Sequence, residues 1–126
     1  MSNAAQSKSY GQRSLDIVRS TLASVSHLLD DESVNEIQIN APNVVFVRKG
    51  AKDIFTNIKI SATEIKAAIQ TIAAINEKEI STRFSVTQEE RSKSMLSARL
   101  PGLRIEGILD PVAVNGPSMC IRKHST

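Results

Sequence analysis

From Met95 to Glu106 the sequence alternates apolar and polar residues on both sides of a Pro-Gly pair, and this stretch restricts the fold more than any other. Leu96, Ala98, Leu100, Leu103 and Ile105 form one set, which Leu109 extends. Met95, Ser97, Arg99, Arg104 and Glu106 form the other. A period of two belongs to strands with one buried face. With Pro101-Gly102 as a two-residue loop, Leu100 opposes Leu103 and Arg99 opposes Arg104. Pro-Gly favours a type II turn, which matches strand twist poorly, so the register depends on those two residues forming the loop. Like charges across a strand pair repel by some tenths of a kcal/mol. Two readings of the arginines stand side by side. Their forked donors suit phosphate oxygens held between them. Alternatively, Glu106 partly neutralises the pair and both side chains face water.

The rest of the chain supplies the partners of this hairpin. Leu15, Val18, Leu22, Val25 and Leu29 recur at helical spacing and predict a helix over residues 14–29. Ile37 and Ile39 alternate with polar residues and predict a half-buried strand, residues 34–40. A turn at residues 40–43 leads into a second strand at Val44–Val47. Another turn at residues 48–50 leads to a short edge strand, residues 53–56. Ser61-Ala62-Thr63-Glu64 reads as a capping box. Ile65, Ala68, Ile69, Ile72 and Ala73 then form the buried stripe of a second helix ending near Asn76. Residues 77–93 carry no clean period and read as a long connection. Asp110-Pro111 and Asn115-Gly116-Pro117 mark turns. A last strand runs over residues 118–122. The pattern α-β-β-β-α-β-β-β predicts an α+β domain with a largely antiparallel sheet.

Composition limits the function classes. The chain has 126 residues, 40% hydrophobic and 23% charged, which fits one globular domain. Its single cysteine, Cys120, permits no disulfide within these residues and no cysteine-based zinc site; it reads as a small buried hydrophobe of its strand. His27 has no second histidine at helical spacing to complete a metal site. No GxxxxGK[ST] segment occurs, so no phosphate-cradling P-loop is present. With no Trp, one Tyr and three Phe, base stacking is poorly supported. No apolar run approaches the roughly 20 residues of a membrane span. Charge is uneven. Residues 1–82 carry nine Lys/Arg and nine Asp/Glu, whereas residues 83–126 carry seven against four, the whole +3 excess. An anionic partner is therefore expected at the last third, or else a solvated charged face. The run Arg122-Lys123-His124 reads more readily as an exposed end than as a phosphate contact. Arg48 is expected to lie outside the face that carries Arg99 and Arg104.

Two segments resemble the type II/IV secretion NTPases. The first runs from Leu28-Leu29-Asp30-Asp31 through Val34-Asn35-Glu36-Ile37-Gln38-Ile39-Asn40-Ala41-Pro42 to Val45-Phe46-Val47. It is similar to the family's opening "LL-D-x-x-V-x-E-I-x-x-N-x-P-x-x-V-x-V". The second comprises Ser97-Ala98-Arg99-Leu100-Pro101, Arg104-Ile105, Pro111-Val112-Ala113, Gly116-Pro117 and Ile121-Arg122-Lys123. It is similar to "ARLPDGSRV…PPVA…GP…IRK", which precedes the family's nucleotide-binding domain. The two occur in the expected order and, with the second helix, cover residues 28–123. The turn here is one residue shorter than the family's, and His124 stands where the family often has Phe.

The resemblance implies a PAS-like α+β domain over residues 13–126, after a disordered segment 1–12, with a RecA-like ATPase domain absent from this piece. It implies an N-terminal regulatory and oligomerisation domain of a hexameric secretion, conjugation or pilus-assembly ATPase. Arg99, Arg104 and Arg122 match the positions that reach the nucleotide phosphates at the interface with the RecA-like domain. ATP and magnesium belong to the full-length parent, and none is expected in this fragment, which has no catalytic residue and no metal site of its own. The implied partners are the RecA-like domain, the homo-hexamer and the inner-membrane machinery. The implied location is the cytoplasm, peripheral to the inner membrane, with no direct nucleic-acid binding. The alternative from another class is a stand-alone adaptor or nucleic-acid-binding module using the basic last third; a PAS-like small-molecule sensor is a third.

Overall fold

A computed structural model of the chain describes residues 10–80, 95–109 and 116–124. The chain forms helices α1 (Tyr10–Thr21), α2 (Ser26–Leu29) and α3 (Ala62–Ile80) and strands β1 (Glu36–Ala41), β2 (Val44–Lys49), β3 (Lys52–Phe55), β4 (Met95–Leu100), β5 (Leu103–Ile108) and β6 (Ser118–Lys123). The strands make one antiparallel sheet in the order β3-β2-β1-β6-β5-β4. The fold is α+β, with two main helices packed against a six-stranded sheet. Each half of the sheet is a three-stranded meander, and the halves meet at β1 and β6.

Alternation decides which residues enter the core. Ala98, Ile105, Ile121, Ile37, Val47 and Ile54 lie in one row across all six strands, on the face toward the helices. All but Ile54, at the β3 edge, are buried. Val18 of α1, Leu22 just after it, and Ile65, Ala68, Ile69 and Ile72 of α3 cover this face. The helices pack chiefly on β4 and β6, which leaves β3 exposed along its length. Gly107 lets α3 approach: a Cβ there would meet Ile69 at 3.0 Å.

Three expectations about the helices are corrected. The helix foreseen over residues 14–29 starts a turn earlier and breaks at Leu22–Val25. The Val25 amide donates to Leu22 three residues back, and α2 is a separate single turn. Hydrophobic spacing persists through the break, so Leu22, Val25 and Leu28 stay buried while Leu29 is only half-buried. Likewise, the stretch read as connection from residue 77 begins as the last turn of α3. The capping box is half formed. Glu64 N donates to Ser61 Oγ at 3.1 Å, but the Glu64 carboxylate turns away from its own helix. It accepts from Ser24 N at 3.0 Å and Ser24 Oγ at 2.7 Å, fastening the α1–α2 break to the start of α3. Glu64→Ala is expected to lower stability by about 1–2 kcal/mol, since it strands the Ser24 donors. Urea denaturation checks this; a midpoint equal to the parent's would mean the contact contributes nothing. The expected turn at Asp110-Pro111, the rest of the 77–93 connection, and all but the last three residues of the 1–12 segment lie outside the described residues.

Candidate functional site

The sheet face turned away from the helices carries the charges. Strand parity sends Arg99, Arg104, Arg122, Glu36, Arg48 and Asp53 to that side, and pairing aligns them. Arg99 opposes Arg104, Arg104 opposes Arg122, and Arg122 opposes Glu36. Glu36 in turn opposes Arg48, and Arg48 opposes Asp53. The row thus reads three arginines, then acid, base, acid. Neighbouring strands lie about 4.8 Å apart, so the three arginines span about 10 Å.

The hairpin register is the one that Pro101-Gly102 required, with Leu100 opposite Leu103. Gly102 supplies φ 75°, the positive value that the second central residue of a type II turn needs. The bond from His124 N to Gly102 O, 3.0 Å, ties the end of β6 to that turn. That pairing brings Arg122 beside Arg104.

The arginines are held unequally. Arg48 forms a fork with Asp53, Nε to Oδ1 at 2.8 Å and Nη2 to Oδ2 at 3.2 Å. This pair raises the Arg48 pKa and holds Asp53 below its ordinary value. Arg104 meets Glu106 through Nε alone at 3.2 Å, and Arg122 meets Glu36 through Nε alone at 3.3 Å. Arg99 has no ion-pair or hydrogen-bond partner among the described residues. The first three members of the row therefore keep guanidinium Nη donors available, whereas Arg48 is occupied. A planar fork with spare N–H groups suits phosphate or sulphate oxygens.

Several sequence expectations change. Arg48 does not lie off this face; β2 carries it into the same row. Cys120 is not in the core. Met119 and Ile121 point inward, so parity sends Cys120 outward, where its thiol donates to Glu36 Oε2 at 3.3 Å. Burial, with the Glu36 carboxylate beside it, pushes the Cys120 thiol up to about 11. The basic run is not simply an exposed end. Lys123 is half-buried and donates to Asp31 O at 2.8 Å, and burial lowers its pKa. Sequence reasoning missed Glu36, whose side chain is 12% exposed on this otherwise open face. Burial raises its pKa, but donors from Gln38, Cys120 and Arg122 outweigh this and keep it below the ordinary value. Beyond Glu106, a cleft of about 480 Å³ opens among Met95, Ser97, Ile108, Ser118 and Cys120. Among the described residues, no group of three acidic, histidine or cysteine side chains could hold a metal ion. No described helix is long and apolar enough to cross a membrane.

No protein-family model matches the sequence, and no curated protein matches it. A solved structure does: the VirB11 ATPase from the Brucella suis type IV secretion system in complex with sulphate, with a TM-score of 0.64. The chain shares its fold with the N-terminal part of a type IV secretion ATPase. The match covers 91% of this chain and 32% of the ATPase chain, so the present sequence spans about a third of that protein. Identity is 21%, and the likeness is one of fold.

Proposed function

We propose that this chain is the N-terminal domain of a hexameric secretion or pilus-assembly ATPase. In this reading it packs on a RecA-like domain and presents Arg99, Arg104 and Arg122 to the phosphates of bound ATP. The observation that carries it is the row itself: three arginines brought together from three strands, each with donors to spare. Two independent lines support it. The "ARLP" and "IRK" segments resemble the family's phosphate-facing stretch, and the fold is like that of a VirB11 ATPase whose structure was obtained in complex with sulphate.

Mechanistically, the arginines bring fixed positive charge to an interface where negative charge builds on the transferred phosphoryl group. They cost no reorganisation if they are already lined up. Departure of the γ-phosphate removes their partner, which can alter how the two domains sit against each other. Magnesium and the P-loop lysine would come from the RecA-like domain. The domain sits in the cytoplasm and reaches the inner membrane through its machinery.

The test compares the 126-residue chain with its full-length parent. The parent is expected to assemble as a hexamer and hydrolyse Mg-ATP. The chain alone is expected to show no turnover above a buffer blank. Hydrolysis by the chain that survives repurification, or a parent gene encoding no P-loop, would overturn the proposal.

A further inference from the structure

Glu36 is anchored independently of the arginine beside it. Oε1 accepts from Arg122 Nε at 3.3 Å. Oε2 accepts from Gln38 Nε2 at 3.0 Å and from the Cys120 thiol at 3.3 Å. Gln38 sits on β1 itself and Cys120 on β6, so two of its three donors stay when Arg122 turns away. Arg122, by contrast, is 64% exposed and tied by a single contact. The exposed partner is the one that can move, and the enclosed partner stays.

We propose that Glu36 is a built-in competitor for the anion that the arginine row takes: it occupies Arg122 while the row is empty and surrenders it to an arriving phosphate. This rests on the reading of the row as an anion site. An anion spanning Arg99, Arg104 and Arg122 lies next to a fixed carboxylate one strand away, and drawing Arg122 off leaves that enclosed carboxylate with only Arg48 opposite, whose fork Asp53 already takes. Both effects weaken binding. The ligand class follows. A monoanion gains little over the carboxylate it displaces, whereas a polyphosphate brings enough charge to engage all three arginines. Glu36 also speeds release, because it reclaims Arg122 when the ligand loses charge. Glu106 acts on Arg104 in the same sense but more weakly, being 56% exposed.

The experiment is a pyrophosphate titration of this chain at fixed ionic strength, followed through the NMR signals of the arginine Nε–H groups. The unsubstituted 126-residue chain, the parent of the variants below, is expected to bind weakly, with Arg99, Arg104 and Arg122 shifting together. Glu36→Gln is expected to bind about tenfold more tightly, the size of one charge removed at about 6 Å in a medium between water and protein. With Arg122→Ala already present, Glu36→Gln is expected to gain less than twofold. Glu36→Asp keeps the charge but shortens its reach, so it is expected to tighten binding by a smaller factor; it carries the test if Glu36→Gln fails to fold. Equal affinity of Glu36→Gln and parent, or a tenfold gain that persists without Arg122, overturns the competitor role while the anion site stands. If pyrophosphate shifts the arginine signals in neither parent nor Glu36→Gln, the anion site itself is refuted.

Discussion

Arg99→Ala in the full-length parent is expected to lower steady-state ATP turnover by about 10²–10³-fold while the hexamer remains assembled. This is the usual loss when one preorganised donor to developing charge is removed. The fold is expected to survive, because Arg99 lies on the exposed side of β4 and its Cβ faces no core residue. Removal also relieves the repulsion with Arg104 opposite. Arg104→Ala is expected to act in the same direction. Arg48→Ala is not a neutral reference, since Arg48 shares the row. It is expected to change turnover much less, because Asp53 already takes its fork. Lys59→Ala, exposed in the link between β3 and α3, serves as the reference. If Arg99→Ala turns over like Lys59→Ala, the row is only surface charge and the phosphate-facing role is wrong.

Ile69→Ala is expected to destabilise the chain by about 2–5 kcal/mol. The upper part of that range is favoured by local geometry. Ile69 is 1% exposed, and its side chain sits over the backbone of Gly107, where a Cβ would meet its Cγ1 and Cδ1. Gly107 has no side chain to relax into the space left behind, and its strand is held by neighbours on both sides. Leu22→Ala, fully buried at the break that follows α1, is expected to fall in the same range. Ile69→Val keeps most of the volume and is expected to cost about 0.5–1.5 kcal/mol. Equilibrium urea denaturation measures all three. An Ile69→Ala midpoint within error of the parent's would show that α3 does not seat on β5 in this way.

Much of the fold was legible because its signals are local. The β4–β5 register follows from a two-residue loop and an alternating pattern, and both survive intact in the structure. Ile65 to Ala73 line the buried face of α3 as their spacing required. Other features depend on residues far apart in the chain. Arg122 lies beside Arg104 because β6 pairs with β5, and beside Glu36 because β6 also pairs with β1. No local period states either pairing, so the third arginine could be matched to the other two only through resemblance to a family. Arg48 was misplaced for a related reason: alternation with the buried Val45 and Val47 sends it outward, but only the β1–β6 pairing puts β2 in the same sheet as the other arginines. Cys120 was the avoidable error, since Met119 and Ile121 on either side already claimed the inner face. The break at Leu22–Val25 was hidden because the buried stripe runs straight through it.

The meeting of two meanders at β1 and β6 has a kinetic consequence. Within the first half, β1, β2 and β3 are joined by two-residue turns, and so are β4 and β5 in the second. Those turns close fast and at little entropic expense. The join between halves brings together residues as far apart as Glu36 and Arg122, 86 positions along the chain. Closing such a span costs about 2 kcal/mol more chain entropy than closing one of about ten residues. The barrier to folding is therefore expected to lie in docking the two halves rather than in closing the turns within either one, and substitutions along the β1–β6 join are expected to slow folding more than those at the β2–β3 turn. Stopped-flow refolding of such variants would decide the point. On that expectation, the Glu36–Arg122 pair spans the junction that the chain completes last.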